Sequence, residues 1–383
     1  MTAVESARGV REYVAEDLER LAPVYLPLHA NDKQSPAAVK AAYDKNFPRL
    51  FRNPLDPTVD SPSLVYEEDG EIHGMVAVAS RPFLLEGERV TGSVTTVLVV
   101  TEQGSRSLAG VRLLREVFDG PQDFTFTDQS NVAGRRTLRA SGALNLPSYS
   151  LRWVKSLRPG AAKARGLAKR MPAGIAPSPE TLLERYGRYE GQLPDRLRTR
   201  AITTLPDPPE GLRRAPLTVD DVVTHGPGLF APFDLHPDVR DEATVRWQWD
   251  LLDIGHSPDR LAKVAVWSKR DKLLGWYLLH VDAEGTGEVI QIVAGDESME
   301  RVLTLLFHDA RAMGAITVRG DVAPHLVFAL SDLGCTFRTR VSATSVHSRN
   351  DDIVDAFRRG SAFISGLEGE GPLNPAYTTN DGR

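Results

Sequence analysis

The alternation of apolar and polar residues in the first part of the chain predicts helices followed by strands. Apolar residues recur at helical spacing over residues 15–28, and Ser35 followed by Pro36 is a typical start for a second helix. Farther along, apolar residues form short runs at 64–66 and 72–78, which predict two strands. An Asp-Gly pair between the runs supplies the turn chemistry of a β-hairpin.

The stretch GSVTTVLVVTEQGSRSLAGVRLLR, residues 92–115, is the most informative part of the pattern. It is apolar without a break over 97–100, as in a strand covered on both faces, and has helical spacing over 110–117. Small and polar residues at 101–107 separate the two. A strand that enters a helix in this way leaves amides free at the positive end of the helix dipole, which predicts an anion site suited to a pyrophosphate.

Three further elements complete the first part of the chain. They are a strand at 123–127, a helix at 128–141 that Ser130 or Asn131 would cap and Gly142 would end, and a strand at 149–155. The order of helices and strands predicts an α/β (α+β) domain around a mixed sheet.

Composition adds limits on size, ligands and location. A chain of 383 residues suggests two domains, and a net charge of -5 argues against general nucleic-acid binding. The single cysteine, Cys335, excludes an intrachain disulfide, and no cysteine or histidine cluster has metal-ligand spacing, so no metal is expected. No signal peptide and no apolar run long enough for a membrane span stands out, so we expect a cytoplasmic protein with no membrane partner.

The second part of the chain repeats the first at low identity. The spacing from Trp267 to Gly275 equals that from Tyr66 to Gly74, and residues 287–293 repeat the central strand, with a helical pattern after it. We therefore predict two tandem domains of the same fold.

These residues resemble the GNAT superfamily of acyl-coenzyme A N-acyltransferases. The resemblance covers residues 10–157 in element order and is sharpest at 98–114 and 127–142. The second block follows the superfamily pattern N-x-x-A-x-x-x-Y-x-x-x-G-F, with Asn131, Gly134, Leu138 and Gly142 at the key positions. The resemblance implies two tandem GNAT-like domains, each a mixed, mostly antiparallel sheet flanked by helices.

The resemblance also implies a reaction and its site. An amine would attack the thioester of acetyl-CoA or another acyl-CoA directly, and central-strand amides would hold the oxyanion. The cofactor-binding residues it implies are Leu98, Val99, Val100, Ser105, Arg106, Ser107, Leu108, Ala109, Gly110, Val111 and Asn131. The candidate general bases are Glu102 and Asp128, with Tyr66 and His73 also considered; Asp128 fits a helix cap equally well.

Several positions depart from the superfamily pattern. Leu108 stands where a phosphate-loop glycine is usual, and Leu138 stands where a proton-donating tyrosine is usual. Arg106 would compensate by pairing with a phosphate, or would simply face solvent. In the second domain, Asp296 and Glu297 occupy the corresponding helix start and would repel a pyrophosphate, so we expect this copy to be degenerate.

The predicted organisation and function follow from these features. The predicted domains are a GNAT-like acyl-CoA domain at 1–157, a basic and Pro-rich linker with a short helix at 158–210, a degenerate GNAT-like domain at 211–366 and a flexible tail at 367–383. The predicted function is N-acyltransfer, most simply acetyl transfer, to a small-molecule or peptide amine, in a chain that could form a homodimer. The alternative is a catalytically degenerate pair that binds ligands or acts as a scaffold.

Overall fold

The computed structural model describes residues 9–29, 36–48, 60–158, 161, 205–339 and 343–373. Within them the chain forms two compact units, each assembled from separate segments. The first contains residues 1–150, 219–256 and 340–383; the second contains 151–218 and 257–339.

The strands, numbered in chain order, are β1 Gly9–Glu12, β2 Leu64–Glu68, β3 Glu71–Leu85, β4 Glu88–Val100, β5 Phe124–Ser130, β6 Leu144–Asn145, β7 Leu151–Ser156, β8 Leu212–Pro216, β9 Leu235–Pro237, β10 Leu261–Ser268, β11 Leu273–Val281, β12 Thr286–Ala294, β13 Thr317–Asp321, β14 Thr336–Thr339 and β15 Ala343–Ser348. The α-helices are α1 Asp17–His29, α2 Pro36–Asn46, α3 Glu102–Arg106, α4 Ala109–Phe118, α5 Val132–Ser141, α6 Val219–Phe230, α7 Glu242–Gly255, α8 Asp296–Ala312, α9 Val327–Asp332 and α10 Asp351–Arg359.

The sheet of the first unit runs β1-β2-β3-β4-β5-β15-β6, and β9 pairs with the far end of β3. All of its neighbours are antiparallel except β4 and β5, which are parallel. The predicted hairpin between β2 and β3 is confirmed, because Asp69 and Gly70 both have positive φ, 56° and 78°. The apolar face of α4 packs on this sheet through Leu113, Leu114 and Val117.

The sheet of the second unit runs β14-β7-β13-β12-β11-β10-β8. Here β12 and β13 are the parallel pair, and α8 lies between them in sequence as α4 lies between β4 and β5. Both units therefore contain an antiparallel hairpin, a parallel neighbour and a crossover helix. This confirms the predicted fold class of two tandem domains with mixed, mostly antiparallel sheets.

The unit boundaries differ from the predicted ones because two strands are exchanged. The predicted final strand of the first domain, β7, pairs with β13 and β14 of the second unit. The first sheet is completed instead by β15, which pairs with β5 and β6. Helices α6 and α7, placed by the prediction in the second domain, also belong to the first unit.

Part of the predicted flexible tail is packed. Leu367, Glu368 and Leu373 are buried in the first unit, whereas residues 374–383 lie outside the described residues. Most of the predicted linker, residues 162–204 together with 159 and 160, also lies outside them. The segment 361–373, which we call the C-terminal segment, is therefore a structural part of the first unit.

Candidate active site

A cleft opens in the first unit because β4 and β5 separate. The two strands pair only from Gly92 to Val94 and from Phe124 to Phe126, although both continue beyond these points. The space between them has a volume of about 590 Å³, in the range of small-molecule sites. The residues that line it are Thr95, Val97, Leu98, Val99, Val100, Ser105, Leu108, Gly110, Val111, Thr127, Gln129, Ser130, Asn131, Ala133, Gly134, Thr137, Leu138 and Glu370.

A β-bulge shapes the β4 side of this cleft. The register between β3 and β4 shifts so that Val97 and Leu98 lie opposite the single residue Val76. Val97 has a φ of 53°, which is strained for a β-branched residue. Beyond the bulge the amide of Thr101 donates to the His73 carbonyl on the β3 side, 2.9 Å away. Because successive amides of a strand point to opposite edges, the amide of Val100 points into the cleft.

The N-terminus of α4 closes one end of the cleft. The predicted polar loop before it is mostly the short helix α3, and Leu108 then takes a left-handed conformation with φ 56° to start α4. The Leu108 carbonyl accepts the amides of Val111 and Arg112 at 3.0 and 3.1 Å. The first two amides of α4, at Ala109 and Gly110, have no acceptor within the helix, and amides of this kind can bind an anion.

The predicted cofactor-binding residues fall into two groups. Eight line the cleft: Leu98, Val99, Val100, Ser105, Leu108, Gly110, Val111 and Asn131. Asn131 also caps α5, with its side-chain oxygen 2.9 Å from the amide of Gly134. The other three point elsewhere: Arg106 pairs with Glu102, Ser107 donates to Glu68 and Ala109 is buried in the core.

The structure separates the candidate general bases. Glu102 is not one of the residues that line the cleft; its side chain is 84% exposed, and its carboxylate lies 2.6 Å from the guanidinium of Arg106. Tyr66 and His73 are buried away from the cleft lining. Asp128 is buried at the end of β5, beside the cleft, and it does not cap α5, since Asn131 does.

The residue that sequence reasoning missed is Glu370, on the C-terminal segment. Glu370 is half-buried and lines the cleft, and its Oε1 accepts from the Thr127 hydroxyl and from the main-chain amide of Gln129, the latter at 3.1 Å. Its own amide donates to Asp128 Oδ1 at 2.9 Å. Burial and, secondarily, the neighbouring Asp128 charge raise the pKa of Glu370 to about 8.

A buried arginine holds the C-terminal segment in place. The guanidinium of Arg81 donates to the Leu367 carbonyl at 3.0 Å and lies over the Trp247 ring. Burial lowers the pKa of Arg81 to about 10, against the opposing charges of Glu368 and Asp128. Gly369 then passes so close to Asp128 that a Cβ atom there would overlap its carboxylate. The segment and β5 are therefore closely fitted to each other.

The described residues contain no group of three or more His, Cys, Asp or Glu side chains placed to hold a metal ion. None of their helices is both long enough and apolar enough to cross a bilayer.

About 90% of the chain aligns in fold with solved structures described as acyltransferases or probable acyltransferases. The sequence itself matches no protein-family model and no curated protein. A probable N-acyltransferase of unknown function from Enterococcus faecalis V583 is 9% identical, with 90% of this chain and 72% of that chain aligned at a TM-score of 0.53. A GCN5-related N-acetyltransferase from Kribbella flavida is 12% identical, with 91% and 72% aligned and a TM-score of 0.50. N-myristoyltransferase from Saccharomyces cerevisiae, solved with bound myristoyl-CoA, is 11% identical, with 91% and 79% aligned and a TM-score of 0.51.

Proposed function

We propose that this chain, which has the two-domain fold of the acyl-CoA N-acyltransferases, transfers an acyl group from a coenzyme A thioester to an amine in the cleft of its first unit. The observation that carries the proposal is the parting of β4 and β5 beside the N-terminus of α4. A cleft of this kind offers unpaired strand amides to an extended amide-containing arm and free helix amides to a pyrophosphate.

The charge around the cleft supports a phosphate-bearing ligand. Helices α4 and α5 border the cleft and together carry five arginines and a single acidic residue, Glu116. The described residues that line the cleft beside these two helices have uncharged side chains. The arginines would attract a polyanion to the opening of the cleft beside the two helices. The uncharged lining suits a neutral pantetheine arm and acyl chain.

The chemistry proceeds by direct attack. The Val100 amide is placed to stabilise the oxyanion that forms when the amine adds to the thioester carbonyl. Leu138 lines the cleft and has no acidic proton to donate, so the leaving thiolate takes its proton from another group or from water. Acetyl-CoA is the simplest donor, and a small-molecule or peptide amine is the acceptor that this chemistry requires.

Thermal unfolding with acetyl-CoA, free coenzyme A and longer acyl-CoAs tests the proposal. A ligand that binds only the folded chain stabilises it by about 2.7 kcal/mol at a hundredfold excess over its dissociation constant. We expect Leu108→Glu to abolish the shift, because Leu108 is exposed in the cleft and a carboxylate there would sit at the N-terminus of α4. Phe328→Glu, at an exposed apolar residue of α9 outside the cleft, is the control and should leave the shift intact.

The alternative function is a binding or scaffold role. It is favoured by Leu108, whose side chain is 63% exposed at the position where a phosphate would approach the backbone. If no acyl-CoA raises the unfolding midpoint, the scaffold role is the better account.

A further inference from the structure

The feature that the proposed function leaves unexplained is the carboxylate at the end of the cleft. Glu370 is the only residue with an ionisable side chain among the described residues that line it. Its Oε1 is held by Thr127 and Gln129, and no hydrogen bond to Oε2 is found among the described residues. The side chain thus has one oxygen fixed by the protein, which leaves Oε2 as the oxygen for a ligand in the cleft.

We propose that Glu370, held against Asp128 by the C-terminal segment, is the general base that takes the proton from the attacking amine. This inference rests on the proposed function. As the nitrogen bonds to the thioester carbon, a proton passes from nitrogen to Oε2 of Glu370. The carbon–sulfur bond then breaks with its electron pair on sulfur, and the thiolate is protonated, so that an amide and coenzyme A leave and Glu370 returns its proton to solvent.

The contacts around Glu370 support a catalytic role, because they fix the position of its side chain in the cleft. Three successive residues of the segment are fixed: Arg81 binds the carbonyl of Leu367, Ser365 binds the carboxylate of Glu368, and Gly369 fits against Asp128. Together these contacts hold Glu370, the residue after Gly369, at the cleft. A group fixed this way needs little reorganisation when the amine arrives.

The charges around Glu370 set the pH above which its carboxylate is ionised and able to accept a proton. Asp128 on β5 opposes its ionisation, Glu368 is on the same segment, and Arg81 on β3 faces Glu368 and Asp128. The neighbouring residues of β5, Thr127 and Gln129, are uncharged. With its pKa raised to about 8, Glu370 is a stronger base than an ordinary carboxylate and can accept a proton from an ammonium group.

The test compares the intact chain with Glu370→Gln, Glu370→Asp and the control Glu88→Gln, an exposed residue of β4. Each variant is first titrated with acetyl-CoA, and turnover is then followed as thiol release with spermidine, a short peptide with a free amino terminus and an arylamine. We expect unchanged acetyl-CoA affinity in Glu370→Gln and a rate lowered by about 10² to 10⁴. Glu370→Asp should recover part of the rate, and the wild-type rise of rate through pH 8 should be absent in Glu370→Gln.

An infrared pH titration gives a second readout that needs no acceptor. A carboxylic-acid band that disappears as the pH passes 8 in wild type and is missing from Glu370→Gln supports the inference. If wild type binds acetyl-CoA and releases thiol but Glu370→Gln keeps its rate and pH profile, the inference alone is overturned. If wild type neither binds acetyl-CoA nor turns over with any amine, the proposed function fails and the inference fails with it.

Discussion

At the scale of single residues, Leu108 combines backbone strain with a place at the mouth of the cleft. A leucine in the left-handed region costs about 1 kcal/mol that glycine does not pay. Leu108→Gly should therefore raise the free energy of unfolding by about that amount and tighten acetyl-CoA binding, since a phosphate can approach the backbone more closely. Denaturant unfolding and titration calorimetry check the two effects separately.

Glu86→Gly is the matched control, because Glu86 also has a positive φ, 50°, in a turn away from the cleft. It should stabilise the fold without changing the affinity for acetyl-CoA. Equal affinity changes in both variants would mean that Leu108 acts through stability alone.

Asp17 is a buried carboxylate whose contribution to stability changes with pH in the opposite direction to that of Glu370. Burial pushes its pKa up, but hydrogen bonds from Arg11 and the Val14 amide outweigh this and leave its pKa below the ordinary 3.8. Its stabilisation is thus complete above that value and is lost as the pH falls through the folded-state pKa. Asp17→Asn should cost about 2 kcal/mol at neutral pH and remove this part of the acid sensitivity. The exposed Asp44→Asn, which breaks a surface pair with Lys40, should cost little.

The contribution of Glu370 to stability changes with pH in the reverse direction. Because its folded-state pKa of about 8 exceeds its ordinary 4.5, its contribution to stability is complete below pH 4.5 and is lost as the pH rises to 8. Glu370→Gln should make the unfolding midpoint less dependent on pH across this interval and raise it at the alkaline end. An unchanged pH dependence would show that Glu370 ionises normally.

At the scale of elements, the C-terminal segment and β3 are joined through buried charge. Arg81→Met removes the positive group that faces Glu368 and the donor to the Leu367 carbonyl, so it should cost about 3 kcal/mol of stability. Adding Glu368→Gln should restore part of the loss, because it removes one of the two buried carboxylates, Glu368 and Asp128, that face Arg81. A double-mutant cycle by denaturant unfolding measures this coupling; additive losses would contradict it.

At the scale of the whole molecule, the strand exchange decides which fragments can fold. Residues 1–157 alone lack β9, β15 and Glu370, so we expect them to aggregate and to bind no acetyl-CoA. Residues 205–383 alone lack β7 and most of the first sheet. Co-expressed, the two pieces should copurify, because each unit takes strands from both. The control is the uncut chain purified identically, and a 1–157 fragment that folds and binds alone would contradict the prediction.

The sequence predicted what local chemistry encodes. Asp69 and Gly70 select the hairpin turn, Asn131 and Gly142 delimit α5, and the small and polar residues at 101–107 separate β4 from α4. These signals depend on neighbours a few residues apart. Even so, the prediction that α5 begins at residue 128 was wrong, because β5 continues to Ser130 before the cap.

What the sequence did not predict depends on distant partners. β7 and β15 are both short strands, and nothing in either sequence says which sheet it completes. Glu370 was missed for the same reason: in a stretch rich in Gly, Glu and Pro, its composition indicates a flexible end, and only the fit of Gly369 to Asp128 shows otherwise.

The exchange of β7 and β15 also has a consequence for synthesis on the ribosome. Ser130 of β5 and Ala343 of β15 are 213 residues apart, which corresponds to roughly 10 to 40 s of translation. During that time β5 has an open edge that a chaperone must shield or that another nascent chain can occupy. A nascent chain would not be catalytically competent before residue 370 leaves the ribosome, because the proposed base, Glu370, is the last part of its site to be synthesised.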